Sequence, residues 1–285
     1  IAMKDIVVAI DFSKGSLHAL DYAIEFANRV KSNVIMVWVD SHANQDFAFT
    51  QEVNEFREEA SKNLEAIVKT YKSKLKPGKL SYKLRKGKVY QEIANQAKYN
   101  DASLIIAGTH GVTGYEEFWI GSNAYRIVSY APCPVITVRH DFEIKPEAIT
   151  SIILPIDSTL DTRQKVPFTA QIAKAFQADI HLLSLYTTNI KAVQRKVDNY
   201  VRQVQKFLEE AGINYSTESM LSDNITNASI EYAGRVQADL IAIMTEQETT
   251  ASNILLGPFA QQMVNHSPIP VLSIQPKEIY AISTR

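Results

Sequence analysis

The sequence predicts an α/β protein made of two tandem domains, each with a five-stranded parallel sheet. Two observations support this fold class. Runs rich in Val and Ile, apolar on both faces, alternate with amphipathic helical stretches, as buried parallel strands and their covering helices do. The same order of runs then occurs twice along the 285 residues. A chain of this length forms one large domain or two ordinary ones, and the repetition favours two.

The repeat is seen in three pairs of matching segments. They lie at 4–11 and 150–157, at 102–107 and 238–243, and at 131–138 and 267–274. The first pair is offset by 146 residues and the other two by 136, so the second copy is ten residues shorter between its first and fourth strands. We therefore predict one domain at 3–141 and a second at 149–276.

In the first copy, each strand is an apolar run and each helix is an amphipathic or charge-rich stretch. Strands are predicted near 4–11, 33–39, 79–86, 102–107 and 134–138. The first helix follows from apolar residues spaced by three and four between Leu17 and Ala27, and further helices are predicted at 50–75, 88–99 and 121–131. Right-handed crossovers between such strands give a parallel sheet that is covered on both faces.

The second copy repeats this order of strands and helices. Its strands are predicted near 151–157, 180–186, 213–220, 238–244 and 270–274. In each copy the fifth strand would be a sheet edge, and exposed edges call for a partner. We expect the two fifth strands to pair and form an intramolecular pseudo-dimer, and a homodimer of the whole chain stays open.

Composition and charge exclude several classes of protein. Hydrophobic residues make up 46% and charged residues 21% of the chain, which is typical of a globular protein. The formal net charge of −1 is not that of a dedicated nucleic-acid binder. No apolar run approaches the roughly 18 residues that span a membrane, and no signal peptide is expected. A single cysteine, Cys133, excludes an intramolecular disulfide framework, so we expect a cytoplasmic protein.

The segment after the fourth strand of the first copy is rich in glycine. Gly108 to Ser122 reads Gly-Thr-His-Gly-Val-Thr-Gly-Tyr-Glu-Glu-Phe-Trp-Ile-Gly-Ser and holds four of the ten glycines in the chain. Glycine lets successive N–H groups converge on an anion, and a helix that begins at Gly121-Ser122 adds the unpaired N–H groups of its first turn. One glycine would indicate only a turn, but the full spacing favours a phosphate site. It is not a Walker loop, because Gly-x4-Gly-Lys-Ser/Thr is absent.

Three stretches resemble the universal stress protein family. They are Val-Ala-Ile-Asp-Phe-Ser at 8–13, the Gly-Thr-His-Gly…Gly-Ser loop, and Ala-Pro-Cys-Pro-Val at 131–135. The resemblance covers both halves and implies a tandem member with a Rossmann-like fold, similar to the adenine nucleotide alpha hydrolases, in each half. The glycine spacing is similar to that of the family's ATP-binding branch. It implies a bound ATP, ADP or AMP, with Mg²⁺ bridging the phosphates and no protein side chain as metal ligand.

The resemblance also implies which residues surround the nucleotide, and twelve positions match. They are Ala9, Ile10 and Asp11 at the adenosine end, Trp38 and Val39 beside the adenine, Ala107 and Gly108 under the ribose, and His110, Gly111, Gly121, Ser122 and Asn123 at the phosphates. No catalytic residue is implied.

The second copy lacks most of this motif. At the 136-residue offset, Met244 stands for Gly108, Gln247 for Gly111 and Pro258 for Ser122, while Gly257 matches Gly121. Carboxylates at 246 and 248 would repel phosphate, and a proline removes one N–H group from the helix start. We therefore predict one nucleotide per chain, in the first domain, with the second domain as a structural partner.

Three functions are compatible with the sequence. The first is an adenine-nucleotide sensor or binding protein of the stress response. The second is a slow ATPase or self-phosphorylating protein with Ser122 or Thr109 as acceptor, for which Arg126 is the nearest cationic candidate and no general base is evident. The third is a non-nucleotide interaction scaffold that uses the second domain or the basic segment 66–91. Simple binding is favoured, and neither nucleic acid nor a membrane is an expected partner.

Overall fold

The computed structural model describes residues 3–41, 50–109, 121–145, 149–245, 247–249 and 254–277. The first half contains, in chain order, β1 (Ile6–Ala9), α1 (Lys14–Val30), β2 (Val34–Asp40), α2 (Thr50–Tyr71), β3 (Leu80–Lys86), α3 (Val89–Tyr99), β4 (Leu104–Gly108), α4 (Ser122–Tyr130) and β5 (Val135–Val138). The predicted alternation of strands and helices is therefore confirmed, although α2 ends at Tyr71, before the turn that contains Pro77 and Gly78.

The second half repeats the alternation and also contains one hairpin. It contains β6 (Ser151–Ile156), α5 (Val166–Phe176), β7 (Asp179–Tyr186), α6 (Lys191–Ala211), β8 (Tyr215–Leu221), α7 (Ile225–Arg235), β9 (Leu240–Met244), β10 (Gln247–Thr249), β11 (Ile254–Leu256), α8 (Pro258–His266) and β12 (Val271–Ile274). Strands β10 and β11 form an antiparallel pair of their own, which the sequence did not predict.

All other strands join one ten-stranded sheet. Its order is β3-β2-β1-β4-β5-β12-β9-β6-β7-β8. Neighbouring strands are parallel except at the centre, where β5 and β12 run antiparallel with Ile136 opposite Leu272. The predicted pairing of the two fifth strands is thus confirmed, and the two halves form one continuous sheet.

Helices cover both faces of this sheet because each presents one apolar side. In α1 the buried residues recur at intervals of three and four, as Ala19, Leu20, Ala23, Ile24 and Ala27 do. One buried core combines α1, α2, α5 and α6 with one face of the sheet. A second core combines α3, α4, α7 and α8 with the other face. Both cores run across the junction, so the halves share their interior.

Most of the difference in length between the halves lies in the connection between the second and third strands of each half. Val34 of β2 is aligned with Leu80 of β3, whereas Ile180 of β7 is aligned with Tyr215 of β8. The connection through α6 is therefore eleven residues shorter than the connection through α2. The next connection, from β8 to β9, is one residue longer than its counterpart, which gives the net difference of ten. The sequence had indicated only that the missing residues lie between the first and fourth strands, and the structure shows between which strands they lie.

Buried aromatic rings join the halves on one face of the sheet. The ring of Phe26 in α1 lies 5.0 Å from the ring of Phe176 in α5, measured between centroids. Such pairs add about 0.5–1.5 kcal/mol beyond the burial of apolar area. His18 Nε2 also lies 2.7 Å from the carbonyl oxygen of Phe142, in the segment that leaves β5. Helix α1 is therefore tied both to the partner half and to the start of the linker.

The buried carboxylate of Asp239 anchors the other end of the linker. It accepts hydrogen bonds from Lys145 Nζ at 2.8 Å, from the Thr150 N–H at 2.8 Å and from the Thr150 hydroxyl at 2.7 Å. Burial alone would raise the pKa of Asp239, but the bonds from Lys145 and Thr150 together outweigh burial and hold the pKa below its usual value.

We predict that Asp239→Asn lowers the free energy of unfolding by about 2 kcal/mol at pH 7, because the ion pair and its charge-assisted hydrogen bonds are lost. A carboxylate with a lowered pKa stabilises the fold above its unfolded pKa of about 4, and this contribution is lost as the pH falls through the folded value. Urea unfolding at pH 7 and at pH 3 should therefore show a smaller acid effect in the variant than in the wild type.

The control for this experiment is Asp101→Asn, since the Asp101 side chain is 80% exposed and its ion pair lies at the surface. It should unfold like the wild type at both pH values. Equal acid sensitivity of Asp239→Asn and the wild type would contradict the role assigned to this carboxylate.

Candidate functional site

A cavity of about 540 Å³ opens at the carboxyl ends of β1, β2 and β4. Strand β1 lies between β2 and β4. Helix α1, which leads from β1 to β2, covers one face of the sheet, and α3, which leads from β3 to β4, covers the other. This reversal is the switch point at which open parallel sheets bind ligands. The volume lies in the range of roughly 300–1,000 Å³ typical of small-molecule sites.

The cavity gathers all of the predicted site residues that the structure describes. They are Ala9, Ile10, Asp11, Trp38, Val39, Ala107, Gly108, Gly121, Ser122 and Asn123. The other two predicted residues, His110 and Gly111, lie outside the described residues. The residues implied by the resemblance therefore meet at one site.

Several lining residues were not predicted. They are Ser16, Val37, Ser41, Val89, Ile93, Ala124 and Ile127, while Thr109, considered above only as a phosphate acceptor, also lines the cavity. Val89 and Ile93 are four residues apart on α3, and Ala124 and Ile127 are three apart on α4, so each pair lies on one helical face. Their amphipathic spacing was visible in the sequence, but it indicates only burial until the sheet order is known.

The lining divides by chemistry. Its apolar part comes mainly from β2, α3 and α4 and consists of Val37, Trp38, Val39, Val89, Ile93 and Ile127. Its polar part comes mainly from the residues that follow β1 and β4 and from the start of α4, namely Asp11, Ser16, Thr109, Ser122 and Asn123, with Ser41 after β2 as a further polar residue. Such a cavity suits a ligand with one flat apolar group and one polar or anionic end.

A tight turn after β1 holds Asp11 at the cavity. Asp11 Oδ1 accepts the Ser13 N–H at 3.0 Å, and the Asp11 N–H donates to Ser16 Oγ at 3.3 Å. Phe12 between them has a φ of 64°, in the left-handed region. Ser13 then caps α1, since its hydroxyl accepts the Ser16 N–H at 3.1 Å. The carboxylate is exposed and has a fixed orientation, so it can accept hydrogen bonds from a ligand.

Helix α4 begins at the polar part of the cavity without a side-chain cap. Its N-cap residue is Gly121, which has no side chain to offer. The Gly121 N–H donates to the Thr109 carbonyl at 2.7 Å, which fixes the helix start to the end of β4. Ser122 and Asn123 follow, and the N–H groups of a first helical turn have no acceptors within the helix. The helix start therefore favours an anion there.

Gly108 is required by a close approach of the backbone. A Cβ atom at this position would lie 2.7 Å from the Gly15 carbonyl oxygen in the first turn of α1. Cβ atoms do not tolerate such a distance, so only glycine lets α1 pack directly on the end of β4. The resemblance implies a place for Gly108 under the ribose, and the structure adds this packing role.

The corresponding site of the second half keeps the turn and loses the space. Asp157 Oδ1 accepts the Thr159 N–H at 2.9 Å, and the Asp157 N–H donates to Thr162 Oγ1 at 3.2 Å, as in the turn of Asp11. The cavity beside it is only about 10 Å³, however, and Lys165 and Phe259 contribute to its walls. A space of this size holds no more than about one water molecule.

A methionine and a displaced helix fill the second site. Met244, at the position of Gly108, is 4% exposed. At the 146-residue offset, α5 begins six residues later than α1, at Val166, and a turn at 162–165 precedes it. The buried Lys165 Nζ instead donates to the Thr162 carbonyl at 2.6 Å. Pro258 is the first residue of α8, as the sequence indicated, and removes an N–H group there.

Two other candidate residues do not contribute to the cavity. Arg126, the cation considered for an ATPase, lies over the Tyr90 ring at 5.5 Å from its centroid and is not among the described lining residues. Burial raises the pKa of Cys133 to about 12, which keeps the thiol protonated and unreactive. In the described part of the chain, no three His, Cys, Asp or Glu side chains are grouped to hold a metal.

Comparison with known proteins assigns the family. The family model described as "Universal stress protein family" matches residues 3–139 and 149–275. The chain belongs to the universal stress protein family. A universal stress protein of Bacillus subtilis is 30% identical over 145 residues, which cover 47% of this chain and 97% of that protein. Relatives of this kind match about half of the tandem chain.

Solved structures show the same tandem fold. A universal stress protein from Archaeoglobus fulgidus superposes with a TM-score of 0.79 at 15% sequence identity, covering 95% of this chain and 98% of that one. A Pseudomonas aeruginosa protein, described as functionally unknown, has a TM-score of 0.65 at 17% identity, covering 96% and 93%. At these identities the likeness shows the fold alone. None of the described helices in this universal stress protein is long and apolar enough to cross a membrane.

We predict that Gly108→Ala destabilises this universal stress protein by about 1–3 kcal/mol, because the new methyl group forces α1 away from β4. Urea unfolding measures the change. The matched control is Gly234→Ala in α7, where a Cβ atom meets nothing within 4 Å and alanine is the better helix former by about 1 kcal/mol. If both variants were as stable as the wild type or more so, Gly108 would have no packing role.

Proposed function

We propose that the chain binds one adenine nucleotide, ATP, ADP or AMP, in the cavity of its first half, and acts in the stress response as a nucleotide sensor or binding protein. The contrast between the halves carries this proposal. The same fold holds a cavity of about 540 Å³ in the first half and one of about 10 Å³ in the second. The open cavity also has an apolar wall beside a polar helix start, which fits a nucleotide.

In the proposed complex, the adenine lies against the apolar wall near Trp38 and Val39. The carboxylate of Asp11 faces the adenosine end and accepts its hydrogen bonds, because the turn with Ser13 fixes its orientation. Ala107 and Gly108 lie under the ribose, where small residues leave room. Each role is the one that the resemblance implies, and all of these residues line the cavity.

The phosphates would lie at the start of α4. The partial positive charge of the helix end and the N–H groups of Ser122 and Asn123 suit an anion. Gly121 takes part by positioning this helix start, since its own N–H already donates to Thr109. Mg²⁺ would be held by phosphate oxygens and water, because the described residues around the cavity include one carboxylate, that of Asp11, and no metal-binding cluster.

Binding is a better proposal than turnover. Asp11 is the one charged side chain among the described lining residues, and phosphoryl transfer needs cationic or metal-bound groups to stabilise the transition state. The function fits the expected cytoplasmic location, since the unpaired Cys133 is ordinary in a reducing compartment.

We predict that isothermal titration with Mg²⁺ and ATP gives one site per chain. Asp11→Ala should weaken binding by roughly tenfold or more, because charge-assisted hydrogen bonds to the ligand are lost. The matched control is Asp157→Ala, which removes the same turn-forming carboxylate from the second half and should leave the dissociation constant unchanged.

Other stoichiometries would lead to different conclusions. Two equivalent sites per chain would contradict the assignment to the first half, and no heat of binding with ATP, ADP or AMP would reject the proposal. Mass spectrometry of small molecules released from the purified protein gives an independent check, since a retained adenine nucleotide should appear at no more than one per chain.

A further inference from the structure

Helix α4 is held at two points by the second half of the chain. Near its start, the Tyr125 hydroxyl accepts the N–H of Leu256 in β11 at 3.1 Å. Near its end, the Gln275 side-chain amide donates to the carbonyl oxygens of Val128 at 3.1 Å and of Ser129 at 3.2 Å. Gln275 directly follows β12, so both contacts are made by residues of the second half.

These contacts act on the part of the helix that forms the proposed phosphate site. The Tyr125 N–H donates to the Gly121 carbonyl at 3.1 Å, so Tyr125 closes the first turn of α4. That turn carries Ser122 and Asn123, which line the cavity. Gln275 meanwhile satisfies carbonyl groups that have no partner within the helix at its C-terminal end. Contacts near both ends therefore hold this helix of nine residues.

The arrangement is not repeated on the second half. At the 136-residue offset, the counterpart of Tyr125 is Gln261, and the counterpart of Gln275 is Arg139. Arg139 Nε donates to Asp141 of its own half at 3.1 Å. The two side chains that hold α4 thus have no chemical equivalents directed at α8, the helix beside the closed cavity. The contacts to α4 are thus made on the half that has the larger cavity.

We propose that the second half positions the phosphate end of the nucleotide site through Tyr125 and Gln275. The inference rests on the proposed function and goes further, because it gives the half without a cavity a part in binding. Both are positioning residues, which act through α4 and not by touching the ligand. By linkage, a ligand that holds the start of α4 also strengthens the contact with Leu256.

The test compares two ligands that differ only in their phosphates. Tyr125→Phe and Gln275→Ala, separately and together, are titrated with ATP and Mg²⁺ and with adenosine. We expect the Kd for ATP to rise by roughly five- to tenfold, the equivalent of about one hydrogen bond, and the Kd for adenosine to stay within about twofold. A purely structural role would weaken both ligands alike, and that result, or no change in either, would overturn the proposal.

Tyr215→Phe is the matched control. It removes a tyrosine hydroxyl that donates to Glu209 at 2.6 Å, and β8 lies at the far edge of the sheet. Both Kd values should equal those of the wild type. If the wild type itself bound no nucleotide, the proposed function would fail together with this inference, whereas unchanged ATP binding in Tyr125→Phe overturns the inference alone.

A second measurement needs only the wild-type protein and decides the matter if Tyr125→Phe does not fold. Hydrogen exchange at the backbone amide of Leu256 should slow several-fold on addition of ATP, and adenosine should leave it unchanged. Equal exchange with ATP, with adenosine and without ligand would contradict the coupling.

Discussion

The antiparallel pairing of β5 with β12 is the interaction on which the rest of the structure depends. It converts two five-stranded sheets into one sheet of ten strands and removes an exposed edge from each half. It also lets both hydrophobic cores continue across the junction, which brings α1 against α5 and the start of α4 against β11. Because these contacts are shared, neither half has a complete interior of its own. The outer edges are β3, which carries the exposed Lys83, and β8, which carries the exposed Glu218, and charged edge residues discourage further pairing.

The close approach of Gly108 to the Gly15 carbonyl distinguishes the half with the large cavity from the half with the small one. Glycine at 108 lets the first turn of α1 lie on β4, and this leaves the space above β1 empty. In the second half Met244 stands at this position, α5 begins six residues later, and Lys165 lines the small space that remains. The turn after the first strand is nevertheless kept in both halves, because it depends only on an aspartate and a hydroxyl residue five positions later. The local turn and the cavity are therefore independent features, and only the second was lost.

Much of the fold was predictable because it follows from the local periodicity of apolar residues and from the sequence repeat. The strands, the helices and the pairing of the fifth strands follow from apolar spacing and from the cost of an exposed edge. The ten described residues that line the cavity were implied by the resemblance to the family, which rests on short motifs such as the glycine spacing and the segment around Asp11. Val89 and Ile93 were missed because their spacing indicates burial without saying against what. The closing of the second cavity by Lys165 was also missed, because it depends on where α5 begins and not on any motif at the position itself.

The contacts made by the second half give a reason for the chain to keep a domain that has no open cavity. Without β12, the edge of β5 would expose the backbone groups around Ile136, and Phe26 would lose the ring of Phe176. Those losses concern stability alone and would be met by any apolar partner. The hydrogen bonds to Tyr125 and to the end of α4 are different, because they fix one helix of the open site in position and orientation. A second copy of the fold meets both requirements at once. Its fifth strand, β12, pairs with β5, and Leu256 in β11 and Gln275 after β12 reach α4.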